Sequence, residues 1–307
     1  MRAVVIDNFG AIPGIQDVPQ PVPAPGEIKV KVSASSVNPF DTMVVSGVMS
    51  QMYEHRFPLV LGKDFAGTVT EVGSEVSGFA VGDRIFGVVS KTRLTEGGGF
   101  GEYLTTAADS GVAHVPAGLD LAVAGAVGLA GAAAVAAVDA LGPLSGKTVL
   151  VSGATGGVGA YAVQLAKSRG ANVIATAASD SAARHVHELG ADHTVNHRDD
   201  LATQVKALVP EGVDSVVHLA GDGPTLASTL AEGGHIVSAA HLQLEDAKVT
   251  TVMATTDRDA LRQLAADVAA GRVRVPIART YPLDQVAEAF TAFIAGGVLG
   301  KLAISVA

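Results

Sequence analysis

The spacing of hydrophobic and polar positions changes near residue 120 of the chain. Residues 1–115 contain short apolar runs that Pro and Gly interrupt, as in Pro19–Gly26. Short runs between such turn residues are typical of an antiparallel, barrel-like β domain. The strands predicted in this part are Val4–Ile6, Ile28–Val32, Gly67–Val72 and Arg84–Val89.

Beyond residue 120 the pattern changes to apolar strands that alternate with helical spacing. Strands rich in β-branched residues, without polar alternation, indicate a parallel sheet with helices on both faces. The predicted strands are Thr148–Ser152, Asn172–Thr176, Ser215–Leu219 and His235–Ser238, and the predicted helices are Val158–Arg169 and Ser181–Leu189. An amphipathic helix, Leu283–Ala295, and a last strand, Leu302–Val306, are expected in the tail.

The chain length of 307 residues favours two domains over one. We expect an α/β protein with a β domain of residues 1–120, completed by 271–307, and a doubly wound parallel sheet of residues 121–270. The 18 residues Leu121–Val138 carry no charge and are long enough to be tested as a membrane span. They are mostly Ala and Gly without a flanking aromatic belt, so a buried helix pair is the better interpretation.

Composition and charge exclude several classes of function. The net charge is −9 and no long basic run is present, which argues against a nucleic-acid-binding surface. The chain has no Cys, and therefore no disulfide, thiolate zinc site or cysteine nucleophile. The lack of Cys fits a reducing cytoplasm, and residues 1–10 lack the apolar core of a signal peptide. We expect a cytoplasmic protein that acts on a small molecule and binds neither nucleic acid nor membrane.

A glycine-rich loop separates a predicted strand from a predicted helix. Gly153, Gly156, Gly157 and Gly159 follow the strand that ends at Ser152, and helical spacing begins at once. Glycine permits a tight turn and a close approach of the backbone to a pyrophosphate, while the helix N-terminus offers N–H groups and a positive dipole end. Glycines at this spacing, between strand and helix, predict a Rossmann dinucleotide-binding site.

The residues after the second strand of this domain bear on the choice between NAD and NADP. Ala177 stands where an NAD site usually carries the acidic residue that binds the ribose 2′-hydroxyl. Ser179 is placed to accept a 2′-phosphate, and Arg184 and His197 offer positive charge. Asp180 is a counter-argument, because a carboxylate repels a phosphate. The balance predicts NADPH as the cofactor.

Motifs along essentially the whole chain point to one family. They are segments 38–41 (NPFD), 57–73 (FPLVLGKDFAGTVTEVG), 81–87 (VGDRIFG), 98–103 (GGFGEY), the loop 153–159, 190–192 (GAD) and 300–301 (GK). With these motifs the chain resembles the medium-chain dehydrogenase/reductase superfamily, and within it the quinone oxidoreductases of the zeta-crystallin type.

The resemblance implies a GroES-like β-barrel catalytic domain, with the Rossmann domain inserted into it and the cofactor in the cleft between the two. It also implies which residues contact the cofactor. For the pyrophosphate these are Thr155, Gly156, Gly157, Val158 and Gly159. For the 2′-phosphate they are Ala178, Ser179 and His197, with Arg184 replacing a lysine that many relatives carry at the position of Ala182. Near the nicotinamide they are Ala220, Asp222, Ser238, Ala239, Ala240 and His241.

Three residues are candidates for catalysis: Asn38, Asp41 and Tyr53. By resemblance, Asn38 binds the nicotinamide ribose or the substrate oxygen, and Asp41 either acts beside it or fixes the backbone of its own turn. Tyr53 is the only tyrosine close to the expected pocket, where it is either a proton donor or a packing residue. Relatives often place Tyr where this chain has Met43 and Met49, so we expect a more apolar substrate pocket.

The candidate metal positions argue against zinc. Zinc-dependent relatives place Cys at the position of Asn38 and His at the position of Lys63, and neither an amide nor an ammonium suits tetrahedral zinc. The segment Ser90–Gly99 is too short for the four-cysteine structural lobe of such relatives. His185 and His187 lie two apart on a predicted helix and so do not share a face. We therefore expect no bound metal.

Without zinc, the site lacks a strong Lewis acid that would polarise an alcohol or aldehyde. The expected reaction is NADPH-dependent hydride delivery to a quinone or an activated α,β-unsaturated carbonyl. Two alternatives remain open: a 2-enoyl thioester reductase and a non-catalytic NADPH-binding sensor protein. We also expect a homodimer, because the predicted edge strand near Val249–Ala254 is rich in β-branched residues and almost uncharged.

Overall fold

The computed structural model describes residues 1–52, 55–89, 97–109, 111–255 and 257–306. Two compact units divide the chain: Met1–Leu129 with Thr256–Ala307 forms the first, and Ala130–Thr255 forms the second. The strands are β1 (Arg2–Ile6), β2 (Gly14–Asp17), β3 (Glu27–Ser36), β4 (Leu59–Val60), β5 (Asp64–Val72), β6 (Arg84–Val88), β7 (Tyr103–Ala107), β8 (Val112–His114), β9 (Thr148–Ser152), β10 (Asn172–Thr176), β11 (His193–Val195), β12 (Val213–His218), β13 (Leu230–Ser238), β14 (Val249–Thr251), β15 (Ile277–Pro282) and β16 (Lys301–Ser305). The α-helices are α1 (Pro39–Val45), α2 (Leu121–Ala124), α3 (Gly128–Asp139), α4 (Gly157–Ser168), α5 (Asp180–Glu188), α6 (Leu201–Leu208), α7 (Gly223–Ala227), α8 (Arg258–Ala269) and α9 (Val286–Ala295), which a 3-10 turn, Leu283–Gln285, precedes.

Two sheets make up the first unit. The larger sheet has the order β15-β16-β3-β5-β6-β8, and β7 also pairs with β3. The smaller sheet has the order β2-β1-β4. The strands pair antiparallel, as the pattern of residues 1–115 predicts, except that β15 runs parallel to β16. The hydrophobic pattern did not predict β15, because Arg279 and Thr280 interrupt its apolar residues.

One apolar core holds the first unit together. Phe65, Phe100 and Leu104 are fully buried in it, and Tyr281 and Phe290 of the C-terminal tail pack into the same core. The last strand, β16, also pairs with β3. The tail and residues 1–115 therefore share one set of packing contacts.

The helices at the two junctions pack on strands of the first unit. α2 lies against β3 and β5, and α8 lies against β8. Arg258 at the start of α8 donates to the carbonyl of Ala108, and its guanidinium lies 5.0 Å from the ring centroid of Phe79. The units therefore divide after residues 129 and 255, whereas the expected boundaries follow residues 120 and 270.

The second unit is a parallel six-stranded sheet with the order β11-β10-β9-β12-β13-β14. The direction in which successive strands are added reverses between β9 and β12, as it does in a Rossmann sheet. Strands β9 and β10 have the bounds that the hydrophobic pattern predicts. Helices α4 and α5 follow them, so the predicted doubly wound architecture is confirmed.

The uncharged stretch Leu121–Val138 forms two helices, α2 and α3, as expected. Four of their alanines, Ala124, Ala132, Ala134 and Ala137, are fully buried. Among the described residues, no helix has both the length and the apolar character needed to cross a membrane.

Candidate active site

The glycine-rich loop joins β9 to α4 in the second unit. Gly153 has a φ of 77°, a backbone conformation that glycine adopts without strain. Its N–H donates to Oγ1 of Thr176 at 3.0 Å, which ties the loop to β10. The N–H of Gly156 donates to the carbonyl of Gly153 at 3.2 Å, and α4 begins at the next residue. The loop is therefore held both by a hydrogen bond within its own backbone and by the side chain of Thr176.

Gly159 allows α4 to lie directly against this loop. A Cβ atom at Gly159 would lie 2.2 Å from the carbonyl oxygen of Gly153 and 2.6 Å from Cα of Ala154. A Cβ atom at Gly156 would approach nothing closer than the Gly153 oxygen, at 3.5 Å. Gly159 is therefore required for packing within the chain, whereas Gly156 leaves space beside the loop.

The first turn of α4 presents backbone donors that the helix does not use. The first N–H that bonds within the helix is that of Ala160, which donates to the carbonyl of Gly156 at 2.9 Å. The N–H groups of Gly157, Val158 and Gly159 precede it and have no intrahelical partner. Together with the positive end of the helix dipole, they fit an anion such as a dinucleotide pyrophosphate. Contact between that pyrophosphate and residues 155–159 stays a prediction.

The predicted 2′-phosphate side lies after β10. Ser179 is the N-cap of α5, where its Oγ accepts the N–H of Ala182 at 3.2 Å. Ala178 is half-buried, and Arg184 and His197 are exposed. Ser179 thus has a structural role of its own, while the side chains of Arg184 and His197 are accessible to a ligand.

A buried hydrogen-bond network that the sequence did not predict joins the ends of β12 and β13. Nδ1 of His218 lies 2.9 Å from Oγ of Ser238. That Oγ also accepts the N–H groups of Ala240 and Leu242, each at 3.1 Å. Because both lone pairs of the hydroxyl are used, its hydrogen is assigned to the bond with Nδ1, and the ring hydrogen of His218 to Nε2. Nε2 then donates to the carbonyl of Gly221 at 3.3 Å.

The other residues predicted near the nicotinamide lie on the same two loops. The carbonyl of Ala220 accepts a hydrogen bond from Ser152 Oγ at the end of β9. Asp222 caps α7, accepting the N–H of Thr225 at 2.9 Å and its hydroxyl at 2.7 Å, and these bonds lower the pKa of Asp222. Ala239 is half-buried, and Ala240 and His241 are exposed. These loops follow the carboxyl ends of neighbouring parallel strands, where doubly wound sheets bind their ligands.

A buried polar cluster lies in the first unit, centred on the carboxylate of Asp64. Oδ2 of Asp64 accepts the hydroxyl of Ser36 at 2.5 Å and Nδ2 of Asn38 at 2.8 Å. Oδ1 accepts the N–H of Leu129 at 2.6 Å. The ammonium of Lys301 lies 3.4 Å from Oδ2, and both charged groups are almost fully buried. The cluster therefore holds an ion pair with several hydrogen bonds.

Asn38 is fixed at every atom of its amide. Nδ2 donates to Asp64 and, at 3.1 Å, to the carbonyl of Ser36, while Oδ1 accepts Nζ of Lys301 at 2.6 Å. Both amide hydrogens are used inside the chain, which leaves none to donate to a ribose or a substrate oxygen. Nζ of Lys301 also donates to the carbonyl of Val37 at 3.1 Å, and burial lowers the pKa of Lys301.

Asp41 and Lys63 lie beside this cluster and line one pocket. Oδ2 of Asp41 accepts the N–H of Asn38 at 2.8 Å, so Asp41 does fix the backbone of its own turn. Burial raises the pKa of Asp41 to about 7, against the lowering effect of this hydrogen bond. Nζ of Lys63 donates to the carbonyl of Val89 at 2.5 Å, and burial lowers the pKa of Lys63.

The structure describes both predicted pocket methionines but not the third catalytic candidate. Tyr53 lies outside the described residues. Met49 is buried, with 5% of its surface exposed, and belongs to the core of the first unit. Met43 is half-buried against the same core.

The residues at the candidate metal positions do not fit zinc. Asn38 presents an amide whose oxygen accepts Lys301 and whose hydrogens are both donated. Lys63 presents an ammonium, which has no lone pair for a metal. The part of the chain that the structure describes contains no group of three or more His, Cys, Asp or Glu arranged to hold a metal ion. Asn38 and Lys63 therefore do not form a zinc site.

Comparison with known proteins agrees with this arrangement of sheets and loops. The model of the alcohol dehydrogenase GroES-like domain matches residues 24–117, and the model of the zinc-binding dehydrogenase family matches residues 157–266. A quinone oxidoreductase of Lama guanicoe is 32% identical over 99% of this chain and 97% of its own length.

Two solved structures superpose on almost the entire chain. The quinone oxidoreductase of Coxiella burnetii is 26% identical, with a TM-score of 0.89 and coverage of 100% of this chain and 99% of its own. A structure described as an NAD-dependent alcohol dehydrogenase is 29% identical, with a TM-score of 0.89 and full coverage of both chains. The first unit is a GroES-like domain and the second a Rossmann-like parallel sheet, and the chain belongs to the quinone oxidoreductase family of medium-chain dehydrogenases/reductases.

Proposed function

We propose that this oxidoreductase uses NADPH to reduce a quinone or an activated α,β-unsaturated carbonyl, without zinc. Bound NADPH supplies the hydride, while the chain orients the two reactants and excludes water. Three features support the proposal: the similarity to quinone oxidoreductases, the free N–H groups at the start of α4, and a buried cluster whose side chains do not suit zinc.

The choice of NADPH rests on the residues after β10. Ala177 is 7% exposed and carries no acid that would bind a free 2′-hydroxyl or repel a phosphate. Arg184 on α5 and His197 after β11 are exposed, so both side chains are accessible to a bound phosphate. One structural relative is described as an NAD-dependent alcohol dehydrogenase, so NADPH and NADH must be compared directly.

One observation supports the choice of acceptor: the ammonium of Lys301 supplies the positive charge of the buried cluster. Its Nζ bonds Asn38 and lies 3.4 Å from Asp64, and the ammonium of Lys63 lines the adjacent pocket. Two ammonium groups at this place repel a divalent metal ion, so the site lacks the Lewis acid that such an ion would provide. The substrate must then already be electrophilic, as quinones and enones are.

The test is a screen of NADPH and NADH oxidation by the purified full-length protein. A simple quinone, an enone and a 2-enoyl thioester serve as acceptors, and reactions without acceptor serve as controls. We expect oxidation of NADPH by the quinone or the enone. Turnover with the thioester alone would select the 2-enoyl thioester reductase. Tight NADPH binding without turnover of any acceptor would select the non-catalytic sensor.

The proposal includes a homodimer formed through β14. This strand ends the sheet and pairs with β13 alone in the sheet order, and Thr250 and Thr251 are exposed. Val252 donates to Ser238 of β13, so by strand alternation the N–H of Thr251 points to the free edge. We expect a mass of two chains by light scattering, and one chain for Thr251→Pro, which removes that donor. A single-chain mass for the wild type would rule the dimer out.

A further inference from the structure

Two ionisable groups outside the Asp64–Lys301 ion pair share one pocket of the first unit. Asp41 and Lys63 line it, together with Phe40, Val44 and Val89. Its volume is about 20 Å³, enough for about one water molecule, and it opens to solvent. Asp41 is almost fully buried and Lys63 is half-buried. A carboxyl and an ammonium therefore border the same partly apolar space.

Each of the two side chains makes one hydrogen bond and retains further hydrogen-bonding capacity. Asp41 uses Oδ2 to accept the N–H of Asn38, and within the described ranges Oδ1 has no hydrogen-bond partner. Lys63 uses one of its three hydrogens to bond the carbonyl of Val89. Its Nζ lies 5.1 Å from the ring centroid of Phe40, a cation–π contact that helps to fix the ammonium.

The other polar groups of the cluster have no hydrogen left to give. The hydroxyl of Ser36 donates to Asp64, and both amide hydrogens of Asn38 are used. Lys301 directs its ammonium at the carbonyl of Val37, at Asn38 and at Asp64. Among the described polar groups of this cluster and its pocket, that leaves Lys63 and Asp41 to exchange a proton.

We propose that Lys63 donates the proton that completes reduction of the acceptor and that Asp41 then reprotonates Lys63 through a water molecule in the pocket. This inference rests on the proposed function, because it needs a reduced acceptor to protonate. Lys63 is thereby a catalytic residue, since its ammonium touches the substrate oxygen. Asp41 is a positioning and relay residue that acts through Lys63.

The step balances in electrons and protons. An acceptor that has received a hydride carries two more electrons and a negative charge on its oxygen. The Nζ–H bond of Lys63 breaks, an O–H bond forms on that oxygen, and Lys63 is left as a neutral amine. Because no hydrogen bond or ion pair joins the side chains of these two described residues, the proton passes from the carboxyl of Asp41 to this amine through one water molecule in the pocket. Asp41 is itself reprotonated from solvent through the open pocket.

The charges around the pair favour this transfer. Asp41 faces Asp64, Lys301 and Lys63, and burial holds the pKa of its carboxyl near 7, so that close to neutral pH the protonated acid is well populated. Burial also lowers the pKa of Lys63, while the charges of Asp41 and Asp64 raise it. A lysine with a lowered pKa gives up its proton more readily than an exposed one.

The test combines pH profiles with a direct titration of Asp41. The variants are Lys63→Met, Lys63→Arg and Asp41→Asn, and Lys31→Met, which removes an exposed lysine of β3, is the matched control. We expect kcat to fall by roughly 10²–10⁴-fold in Lys63→Met, with an unchanged Kd for NADPH. The arginine variant should be similarly slow, because its guanidinium keeps its proton. Lys31→Met should turn over like the wild type.

The coupling between the two groups provides a readout that does not depend on turnover. In ¹³C NMR of carboxyl-labelled protein, assigned with Asp41→Asn, the Asp41 carboxyl should titrate near pH 7. Its midpoint should rise in Lys63→Met, since the ammonium lowers the pKa of Asp41, and should not move in Lys31→Met. In Asp41→Asn the alkaline limb of the kcat profile should move to lower pH, since Asp41 raises the pKa of Lys63.

The outcomes separate this inference from the proposed function. Wild-type turnover with an unchanged rate and alkaline limb in Lys63→Met would overturn the donor role and leave the function intact. If the titration midpoint of the Asp41 carboxyl is the same in Lys63→Met as in the wild type, the relay is wrong. If wild-type protein reduces no acceptor at all, the proposed function fails, and the donor role falls with it.

Discussion

Nζ of Lys301 lies 2.6 Å from Oδ1 of Asn38, although 263 residues separate the two in the chain. This bond fixes the orientation of the Asn38 amide: its oxygen faces the ammonium and its nitrogen faces Asp64. It also joins the first residue of β16 to the N-cap of α1. The C-terminal tail thus supplies the cation of the buried cluster.

Replacing Lys301 by Met should destabilise the first unit. The change keeps an unbranched side chain but leaves the buried carboxylate of Asp64 without its cation, a loss of about 3–5 kcal/mol. The matched control is Arg2→Met, which breaks the exposed ion pair with Glu102 and should cost less than about 1 kcal/mol. Urea unfolding followed by circular dichroism compares the two. Equal unfolding midpoints would show that the buried pair contributes little.

The carboxyl of Asp41 should make stability fall as pH rises from about 4 to about 7. Its folded-state pKa of about 7 exceeds the value of 3.8 for a free side chain. In this window the unfolded chain releases the proton and the folded chain keeps it, so unfolding is favoured as pH increases. Above pH 7 the effect is complete, at about 3–5 kcal/mol for a shift of this size.

The measurement is urea unfolding of the wild type and Asp41→Asn between pH 4 and pH 8. The asparagine does not ionise, so the stability of the variant relative to the wild type should grow across the window and then level off. A difference that stays constant with pH would contradict the raised pKa.

Gly159→Ala and Gly156→Ala should separate packing from ligand contact. The new Cβ at Gly159 meets the Gly153 oxygen at 2.2 Å, so this variant should lose about 1–3 kcal/mol of stability and bind NADPH poorly. The Cβ at Gly156 meets nothing closer than 3.5 Å, so this variant should unfold like the wild type. If Gly156 contacts a pyrophosphate, its NADPH affinity should still fall. Unchanged affinity in Gly156→Ala, measured by calorimetry, would remove Gly156 from the site.

Arg184→Ala should weaken NADPH binding and leave NADH binding unchanged. A charge-assisted bond from the guanidinium to the 2′-phosphate contributes about 1.5–3 kcal/mol, roughly tenfold or more in Kd. Arg169→Ala, at the opposite end of α4, is the matched control. Equal wild-type affinities for the two nicotinamides would end the NADPH proposal, whereas a preference that survives Arg184→Ala would assign the phosphate contact to another residue.

Features that depend on nearby residues were predictable from the sequence. The apolar runs of β9 and β10 are bounded by polar or glycine residues, and both strands have the predicted limits. The loop of Gly153 and Gly159 is also local, so its conformation follows from glycine chemistry and spacing. Strand β15 was missed because its polar residues hide a pairing with β16 that only tertiary contacts establish.

The polar cluster depends on contacts that no periodicity reports. Lys301 and Asp64 both belong to motifs that are recognisable in the sequence, yet 237 residues separate them. The hydropathy pattern does not predict that they form an ion pair. The capping roles of Ser179 and Asp222 were missed for a different reason. Each precedes a helix and caps it through the residue three positions later, a signal that the sequence does contain. Their side chains are therefore already engaged before any ligand binds.

The reduction of a simple quinone by NADPH in metal-stripped protein tests the central claim most directly. The protein is treated with a strong chelator, its metal content is measured by elemental analysis, and NADPH oxidation is followed with and without added zinc. We predict less than stoichiometric metal and a rate equal to that of untreated protein, because Asn38, Lys63 and Lys301 offer no zinc site. Stoichiometric zinc in the purified protein, or activity that chelation abolishes and zinc restores, would contradict this account.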